Sequence, residues 1–213
     1  MSRGGSRSLA APDLALEALL DLARELAFDR VEIRLPSQMP FVRVPEVRSA
    51  LAARGLRCGA VACDARPNAP GRLKDGVDSL RQAARAAASL GAPIVPFALG
   101  SHDERDDARA TGLVGRELKA VAALAAEVGV RLAIERGRAG PGVDPSRTLD
   151  GALRLIAAAG SPRALGLVVP AAERGSVPLP AEPLVFALRE DFRLPPPRGT
   201  AAGWDASVLE APP

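Results

Sequence analysis

The hydrophobic positions of this chain alternate between two periods, the three-to-four-residue spacing of an amphipathic helix and the two-residue spacing of a strand. Leucines and alanines recur at helical spacing over residues 12–27, and Asp13 is placed to cap this helix at its N-terminus. Residues 31–35 (Val-Glu-Ile-Arg-Leu) then alternate apolar and charged side chains until Pro36. The first predicted unit is therefore a helix followed by a short strand.

The same unit repeats along the chain at intervals of roughly 30 residues, the length of a βαβ unit. Helices are predicted over 44–54, 77–90, 112–127 and 149–159, each followed within two residues by a glycine, and strands over 56–63, 92–99, 130–135, 164–169 and 184–188. Pro93 and Pro96 disfavour a central strand. The strand at 92–99 is therefore predicted from its position in the repeat and not from local propensity. Residues 193–203, rich in Pro and Gly, are predicted to form a loop before a last short element at 204–210.

Strands that alternate with helices at this spacing indicate parallel βαβ units, because parallel strands need a crossover connection that is usually helical. A closed barrel and an open doubly wound sheet both fit this pattern. No GxGxxG or GxxxxGK[ST] motif follows a predicted strand, so the nucleotide-binding open sheet lacks its main sequence evidence and the barrel is favoured. One domain is predicted over residues 1–213, with residues 1–11 flexible, a weak first strand and no final helix. Whether the barrel closes or stays open at one seam is left undecided.

Composition limits the classes of partner. Apolar residues make up 47% of the 213 residues, enough for one sizeable core, and the net charge is only +3 because acidic and basic residues are interspersed. Tyr is absent and aromatic residues are scarce, which argues against a nucleic-acid partner. The sequence predicts neither a membrane span nor a secretory signal, so we expect a cytoplasmic protein. Cys58 and Cys63 are expected to be reduced and partly buried, since two thiols and one histidine cannot complete a four-ligand zinc site.

Three segments resemble a known family. ALEALLDLARELAFDRVEIRL, at residues 15–35, is similar to its opening helix and strand, and SLRQAARAAASLGAPIVPFALG, at 79–100, to a later helix–strand unit. LKAVAALAAEVGVRLAIER, at 118–136, is the most specific match. Together they resemble the xylose isomerase-like barrels, which include sugar phosphate isomerases and epimerases, myo-inosose dehydratases and endonuclease IV. The resemblance spans roughly residues 14–205 and implies a (β/α)8 TIM barrel.

The resemblance also implies a divalent metal (Mn, Mg, Co or Zn) at the C-terminal mouth of the barrel, held by Glu, Asp, His and Glu from successive late strands. The implied chemistry is proton transfer next to a carbonyl of a sugar, sugar phosphate or cyclitol. Glu135 matches the first ligand position. Pro170 follows the next strand, where the family has Asp-x-x-His, Glu173 is only a loose substitute, and Ala187 replaces the histidine of His-Leu-Lys-Asp. Because endonuclease IV uses many histidines and this chain has only His102, that activity is excluded.

Three functional hypotheses stay open at this point. The chain is an isomerase or epimerase with a reduced metal site, an inactive member (a pseudoenzyme) that binds a carbohydrate or a partner, or a metal-independent acid–base enzyme that uses Glu135 with Glu32. If the metal site is lost, no cofactor is needed. The sequence does not predict the substrate or the oligomeric state.

Further candidates for substrate binding lie near predicted strand ends. His102 belongs to an acidic loop with Asp103, Glu104, Asp106 and Asp107 that could lie at the mouth. Arg136 and Arg189, together with Arg34, could bind the phosphate of a sugar phosphate through their guanidinium groups. For each of these residues the ordinary alternative is a solvated charge or a surface ion pair.

Overall fold

The computed structural model describes residues 6–36, 43–102, 107–137, 142–161, 163–173, 185–194 and 204–211. The strands are β1 (Ser6–Ala10), β2 (Arg30–Leu35), β3 (Arg57–Cys63), β4 (Ile94–Phe97), β5 (Arg131–Glu135), β6 (Leu165–Pro170), β7 (Val185–Leu194) and β8 (Trp204–Ala211). The α-helices are α1 (Leu16–Glu25), α2 (Val44–Ala53), α3 (Leu73–Leu90), α4 (Asp107–Glu127) and α5 (Leu149–Ala159), and short 3-10 turns span Pro145–Arg147 and Ala171–Glu173. Helices thus alternate with strands from β1 to β6.

The eight strands form a closed barrel in chain order, which confirms the predicted TIM barrel. Strands β1 to β7 run parallel to one another, whereas β8 is antiparallel to both β7 and β1. A regular (β/α)8 barrel has eight parallel strands, so the last strand departs from the expected pattern. The segment expected to be flexible, residues 1–11, contains β1 in its described part, and this strand pairs with β2 on one side and β8 on the other. The seam left undecided by the sequence is therefore closed.

Several helices begin at other positions than predicted. Helix α1 begins at Leu16, and Asp13 does not cap it, since the capping position is Ala15 and carries no side-chain hydrogen bond. Helices α3 and α4 begin at Leu73 and Asp107, before the predicted starts at residues 77 and 112. Helix α5 matches its prediction because both ends carry clear signals: the Thr148 side chain accepts a hydrogen bond at the start and Gly160 adopts a left-handed conformation at the end.

Two apolar layers hold the barrel together. The larger one lies between the helices and the outer face of the strands and includes Leu19, Leu80 and Leu118. The smaller one fills the inside of the barrel and consists of Ala60, Ile94, Ala133, Val168, Ala187 and Leu209. Side chains alternate along a strand, so the charged residues of β2 point to the inside while its apolar residues face the helices. The many alanines inside leave room there for longer charged side chains.

Candidate functional site

A cavity of about 730 Å³ opens at the carboxyl ends of the first five strands. Among the described residues, its charged lining is Asp13, Arg34, Asp64, Arg66, Glu135, Arg136, Asp144 and Arg147. Small-molecule sites commonly occupy roughly 300–1,000 Å³, and TIM barrels place their active sites at this end of the strands. The geometry therefore makes this cavity the candidate site. In this described lining, four guanidinium groups supply hydrogen-bond donors and four carboxylates supply acceptors.

Glu135, a candidate from the sequence, is the last residue of β5 and lines this cavity. Its Oε1 atom lies 2.9 Å from Nη2 of Arg189. The same Nη2 atom donates a hydrogen bond of 2.6 Å to Oε2 of Glu32. The side chains of Glu32, Arg189 and Glu135 are 1%, 15% and 22% exposed. One arginine thus joins the two candidate carboxylates inside the barrel.

The three charged side chains come from strands far apart in the sequence. Glu32 lies on β2, Glu135 on β5 and Arg189 on β7, and Nη1 of Arg189 donates a hydrogen bond of 2.9 Å to Oγ of Ser207 on β8. Ala187 lies two residues before Arg189 and so shares its face of the strand. Ala187 is fully buried in the inner apolar layer. Closure of the barrel by β7 and β8 therefore builds this cluster.

Glu32 and Glu135 have different access to the cavity. Glu32 is buried and does not line it, whereas Glu135 is partly exposed to it. The structure brings together the two carboxylates that the sequence selected, but only Glu135 can meet a ligand in the cavity. Arg189, selected as a phosphate-binding residue, also does not line the cavity in the described part of the chain, and its two terminal nitrogens contact Glu32, Glu135 and Ser207.

Arginines at the rim of the cavity are held by neighbouring groups. Arg136 donates a 2.8 Å hydrogen bond to the carbonyl of Arg147. The guanidinium group of Arg147 in turn donates a hydrogen bond of 2.7 Å to the carbonyl of Gly142. Arg66 pairs with Asp64 at 2.6 Å. Of the arginines proposed from sequence, Arg34 and Arg136 line the cavity.

Sequence reasoning missed several lining residues, above all Arg66, Asp144 and Arg147, because they lie in loops where no periodic pattern marks them. One local signal was available for Asp144. It precedes Pro145 and Ser146, a pattern typical of a turn in which the Asp side chain accepts from the backbone. Asp144 indeed accepts from the Ser146 amide at 2.9 Å and from its hydroxyl at 2.6 Å.

His102 is buried and connects the segments beside the cavity. Its backbone pairs with Val143 through hydrogen bonds of 2.9 and 2.8 Å, and its ring Nδ1 lies 2.8 Å from Nδ2 of Asn68. The preceding residues, Gly100 and Ser101, line the cavity, whereas His102 is absent from the described lining. Asp103, Glu104 and Asp106 of the predicted acidic loop lie outside the described residues, and Asp107 begins α4.

Both cysteines are free and buried. Burial raises the pKa of the Cys58 thiol to about 12, and Glu32 adds to the effect by repelling the thiolate. Burial likewise raises the pKa of Cys63 to about 12, with a further contribution from Asp64. At neutral pH both side chains are therefore uncharged thiols, unsuited to attack a substrate or bind a metal.

The described residues do not fit the divalent metal implied by the resemblance. Pro170 and Ala187, at two of the ligand positions, carry no donor side chain, and the guanidinium group of Arg189 approaches Glu135 closely enough to repel a second cation. Within the described ranges no three His, Cys, Asp or Glu side chains converge as a metal site would require. The side chain of Glu173 and residues 174–184 lie outside those ranges.

Comparison with known proteins supports the architecture. The model of the family described as xylose isomerase-like TIM barrel matches residues 20–169, more than half of the chain. No curated protein matches the sequence. In the described part of the chain, none of the helices combines the length and apolar character of a membrane span.

Solved structures share the fold at low sequence identity. The apo form of 3-keto-D-glucoside 4-epimerase from E. coli is 17% identical over 90% of this chain and 80% of its own, with a TM-score of 0.69. A xylose isomerase-like TIM barrel protein from Mycobacterium smegmatis, in complex with magnesium, is 19% identical over 83% of this chain and 65% of its own, with a TM-score of 0.59. A Sinorhizobium meliloti protein is 23% identical with a TM-score of 0.61, and the match covers 74% of this chain but only 58% of that protein. The present chain is thus shorter than these relatives.

Proposed function

The chain belongs to the xylose isomerase-like TIM barrel family, and from this premise we propose that it binds a small carbohydrate in the cavity at the mouth of its barrel. We further propose that it does so without the metal-assisted proton transfer implied by the family resemblance. The observation that carries the proposal is the mixed lining of the 730 Å³ cavity. Sugar hydroxyls donate and accept hydrogen bonds at once, so a lining of guanidinium and carboxylate groups suits a polyhydroxylated ligand.

Arg189 is the reason why we propose no metal-assisted reaction. A carboxylate that already contacts a guanidinium group at 2.9 Å offers little to a divalent cation, and the neighbouring positions at Pro170 and Ala187 supply no further ligand. The epimerase among the structural neighbours supports a carbohydrate as the ligand class. A phosphate on the ligand would find Arg34 and Arg136 at the same cavity.

Calorimetric titration of the wild-type protein with aldoses, ketoses, their phosphates and inositols tests this function. At least one of these compounds should bind with saturable heat. Glu135→Gln and Arg136→Ala should weaken that binding by about tenfold to a hundredfold, the value of one or two charge-assisted hydrogen bonds. Arg154→Ala removes an exposed arginine on α5 and is the matched control, for which we expect unchanged affinity. If no compound binds, or if binding is insensitive to both cavity variants, the proposal fails.

A second function, proton transfer by Glu135 without a metal, is favoured by the exposure of this carboxylate to the cavity. Incubation of the wild-type protein with ligands found by calorimetry, in deuterated water with a chelator, separates the two functions. A binding protein leaves the carbon next to the carbonyl unlabelled in proton NMR spectra. Labelling that disappears in Glu135→Gln would instead identify a metal-independent isomerase or epimerase.

A further inference from the structure

We propose that the guanidinium group of Arg189 is the resident cation of this barrel, and that it stands between Glu32 and Glu135 in the place of a divalent metal ion. The inference goes beyond the proposed carbohydrate binding, and it does not depend on which ligand enters the cavity. It rests on the contacts of three charged side chains and on Pro170 and Ala187, which carry no donor side chain at two ligand positions implied by the resemblance.

The buried carboxylate of Glu32 has its counter-charge in Arg189. Glu32 is almost completely buried, and an ionised carboxylate in such a place needs a compensating charge within hydrogen-bond distance. Nη2 of Arg189 supplies it at 2.6 Å and contacts Glu135 at 2.9 Å with the same atom. An arginine keeps its charge at every pH at which proteins are studied, so the compensation is permanent.

The guanidinium group of Arg189 also lies where a metal ion bound to Glu135 would lie. A metal ion that used Glu135 would need to approach its oxygen to roughly 2.0–2.6 Å. The guanidinium group already lies against this oxygen, and Ser207 on the antiparallel strand β8 holds its other terminal nitrogen. Pro170 and Ala187 stand where the resemblance calls for ligands. The arginine and a divalent cation therefore exclude each other at this point of the barrel.

The exclusion has a measurable consequence. Substitution of Arg189 by a small neutral residue leaves two neighbouring carboxylates without their counter-charge, and a divalent cation can then restore the balance. The wild-type protein should not respond to such a cation, whereas the substituted protein should be stabilised by it.

The experiment compares wild type, Arg189→Ala, Glu135→Gln, the double variant Arg189→Ala/Glu135→Gln, and Arg154→Ala as the control. Arg154 pairs with Asp150 on the surface, where both side chains are more than two-thirds exposed. Thermal unfolding is followed with and without millimolar Mn²⁺, and the free Mn²⁺ is measured by its electron paramagnetic resonance signal. Arg189→Ala should lower Tm by on the order of 10 °C, because it breaks a buried ion pair in a chain of this size.

Mn²⁺ should recover part of that loss in Arg189→Ala, with saturable binding in roughly the millimolar range or tighter. Wild type and Arg154→Ala should show neither a shift of Tm nor a loss of free Mn²⁺. In the double variant the recovery should disappear. If Arg189→Ala does not fold alone, refolding in Mn²⁺ should restore the circular dichroism spectrum of the barrel.

Two results would overturn the inference. One is binding of Mn²⁺ by the wild-type protein that is abolished by Glu135→Gln, since the arginine would then not exclude the metal. The other is the finding that the Arg189→Ala protein neither binds Mn²⁺ nor gains stability or folding from it. Neither result bears on carbohydrate binding itself, which is tested with Arg189 in place, although the first would remove the metal-free part of the proposed function.

Discussion

The side-chain amide of Asn68 lies 2.8 Å from Nδ1 of His102 and donates a second hydrogen bond, of 3.0 Å, to the carbonyl of Gly100. An amide nitrogen can only donate, so Nδ1 of the imidazole accepts and its ring hydrogen is on Nε2. This contact joins the segment after β3 to the segment after β4, and the backbone pairing of His102 with Val143 joins the latter to the segment after β5. His102 thus connects the rim of the cavity.

Asn68→Ala tests this connection. The substitution removes two hydrogen bonds and leaves a buried ring nitrogen and a carbonyl without their partner, so the free energy of unfolding should fall by about 1–3 kcal/mol. Urea denaturation followed by circular dichroism measures it. Ser49→Ala, which removes a single exposed hydrogen bond to Pro45 within α2, should change stability by less than about 0.5 kcal/mol. Equal effects of the two substitutions would contradict a connecting role for Asn68.

Two glycines inside helices predict opposite responses to alanine. A Cβ atom on Gly76 in α3 would lie 2.6 Å from the carbonyl oxygen of Ala65 and 2.8 Å from Cα of Pro67. The backbone would have to shift, so Gly76→Ala should destabilise the protein by about 1–3 kcal/mol. A Cβ atom on Gly112 in α4 meets nothing within 4 Å, and Gly112→Ala should stabilise the protein by up to about 1 kcal/mol.

Thermal unfolding of both variants measures the difference. Since helix propensity favours alanine equally at both positions, any difference in sign comes from the close approach of α3 to the segment after β3. Stabilisation by both substitutions would show that α3 does not pack there as described.

Local patterns in the sequence were sufficient for part of the fold. The alternation in residues 130–135 predicted β5 and placed Glu135 at its end, and Gly160 marked the end of α5. The direction of β8 could not be predicted in this way, because the period of a strand is the same whether its partner is parallel or antiparallel. The predicted helix at 77–90 misses the start of α3 because Gly76 ends a run of Pro, Asn and Gly residues typical of a loop, and the close contact with Ala65 and Pro67 explains a glycine there.

The candidate site, like the fold, could be predicted from the sequence only in part. Alternation along β7 places Arg189 on the face of Ala187, so a position inside the barrel could be inferred from the sequence. Its partner could not, because Glu32 is 157 residues away in the chain and the two meet only when the barrel closes. Sequence alone therefore offered a phosphate-binding arginine at a strand end, whereas the structure shows one that pairs with carboxylates.

A double-mutant cycle measures the strength of this pairing. Glu32→Gln and Arg189→Met each remove one charge while keeping much of the side-chain volume. Because the two groups are in contact and largely buried, their combined effect should differ from the sum by about 0.5–3 kcal/mol. The cycle on Asp150 and Arg154, an exposed pair four residues apart on α5, should give no more than about 0.5 kcal/mol. Urea denaturation supplies all the values, and additive effects at Glu32 and Arg189 would show that the contact contributes no coupling.

The buried cysteines predict how stability depends on alkaline pH. The thiols of Cys58 and Cys63 have a pKa raised from an ordinary value of 9.0 to about 12 by burial. Below pH 9 both the folded and the unfolded chain hold these protons, so the contribution to stability is complete. Above it the unfolded chain loses them while the folded chain keeps them, and the free energy of unfolding should fall by up to about 1.4 kcal/mol per pH unit for each thiol.

Urea denaturation under reducing conditions between pH 8 and 10.5 measures this slope. The chain has no tyrosine and only two lysines, so few other side chains titrate in that window. Cys58→Ala/Cys63→Ala removes both thiols; this variant starts from a lower stability at pH 8 because it loses buried volume, yet its stability should decline less with pH. A decline as steep as that of the wild-type protein would show that the thiols are not its cause, because the double variant has no thiol left to ionise in its unfolded chain.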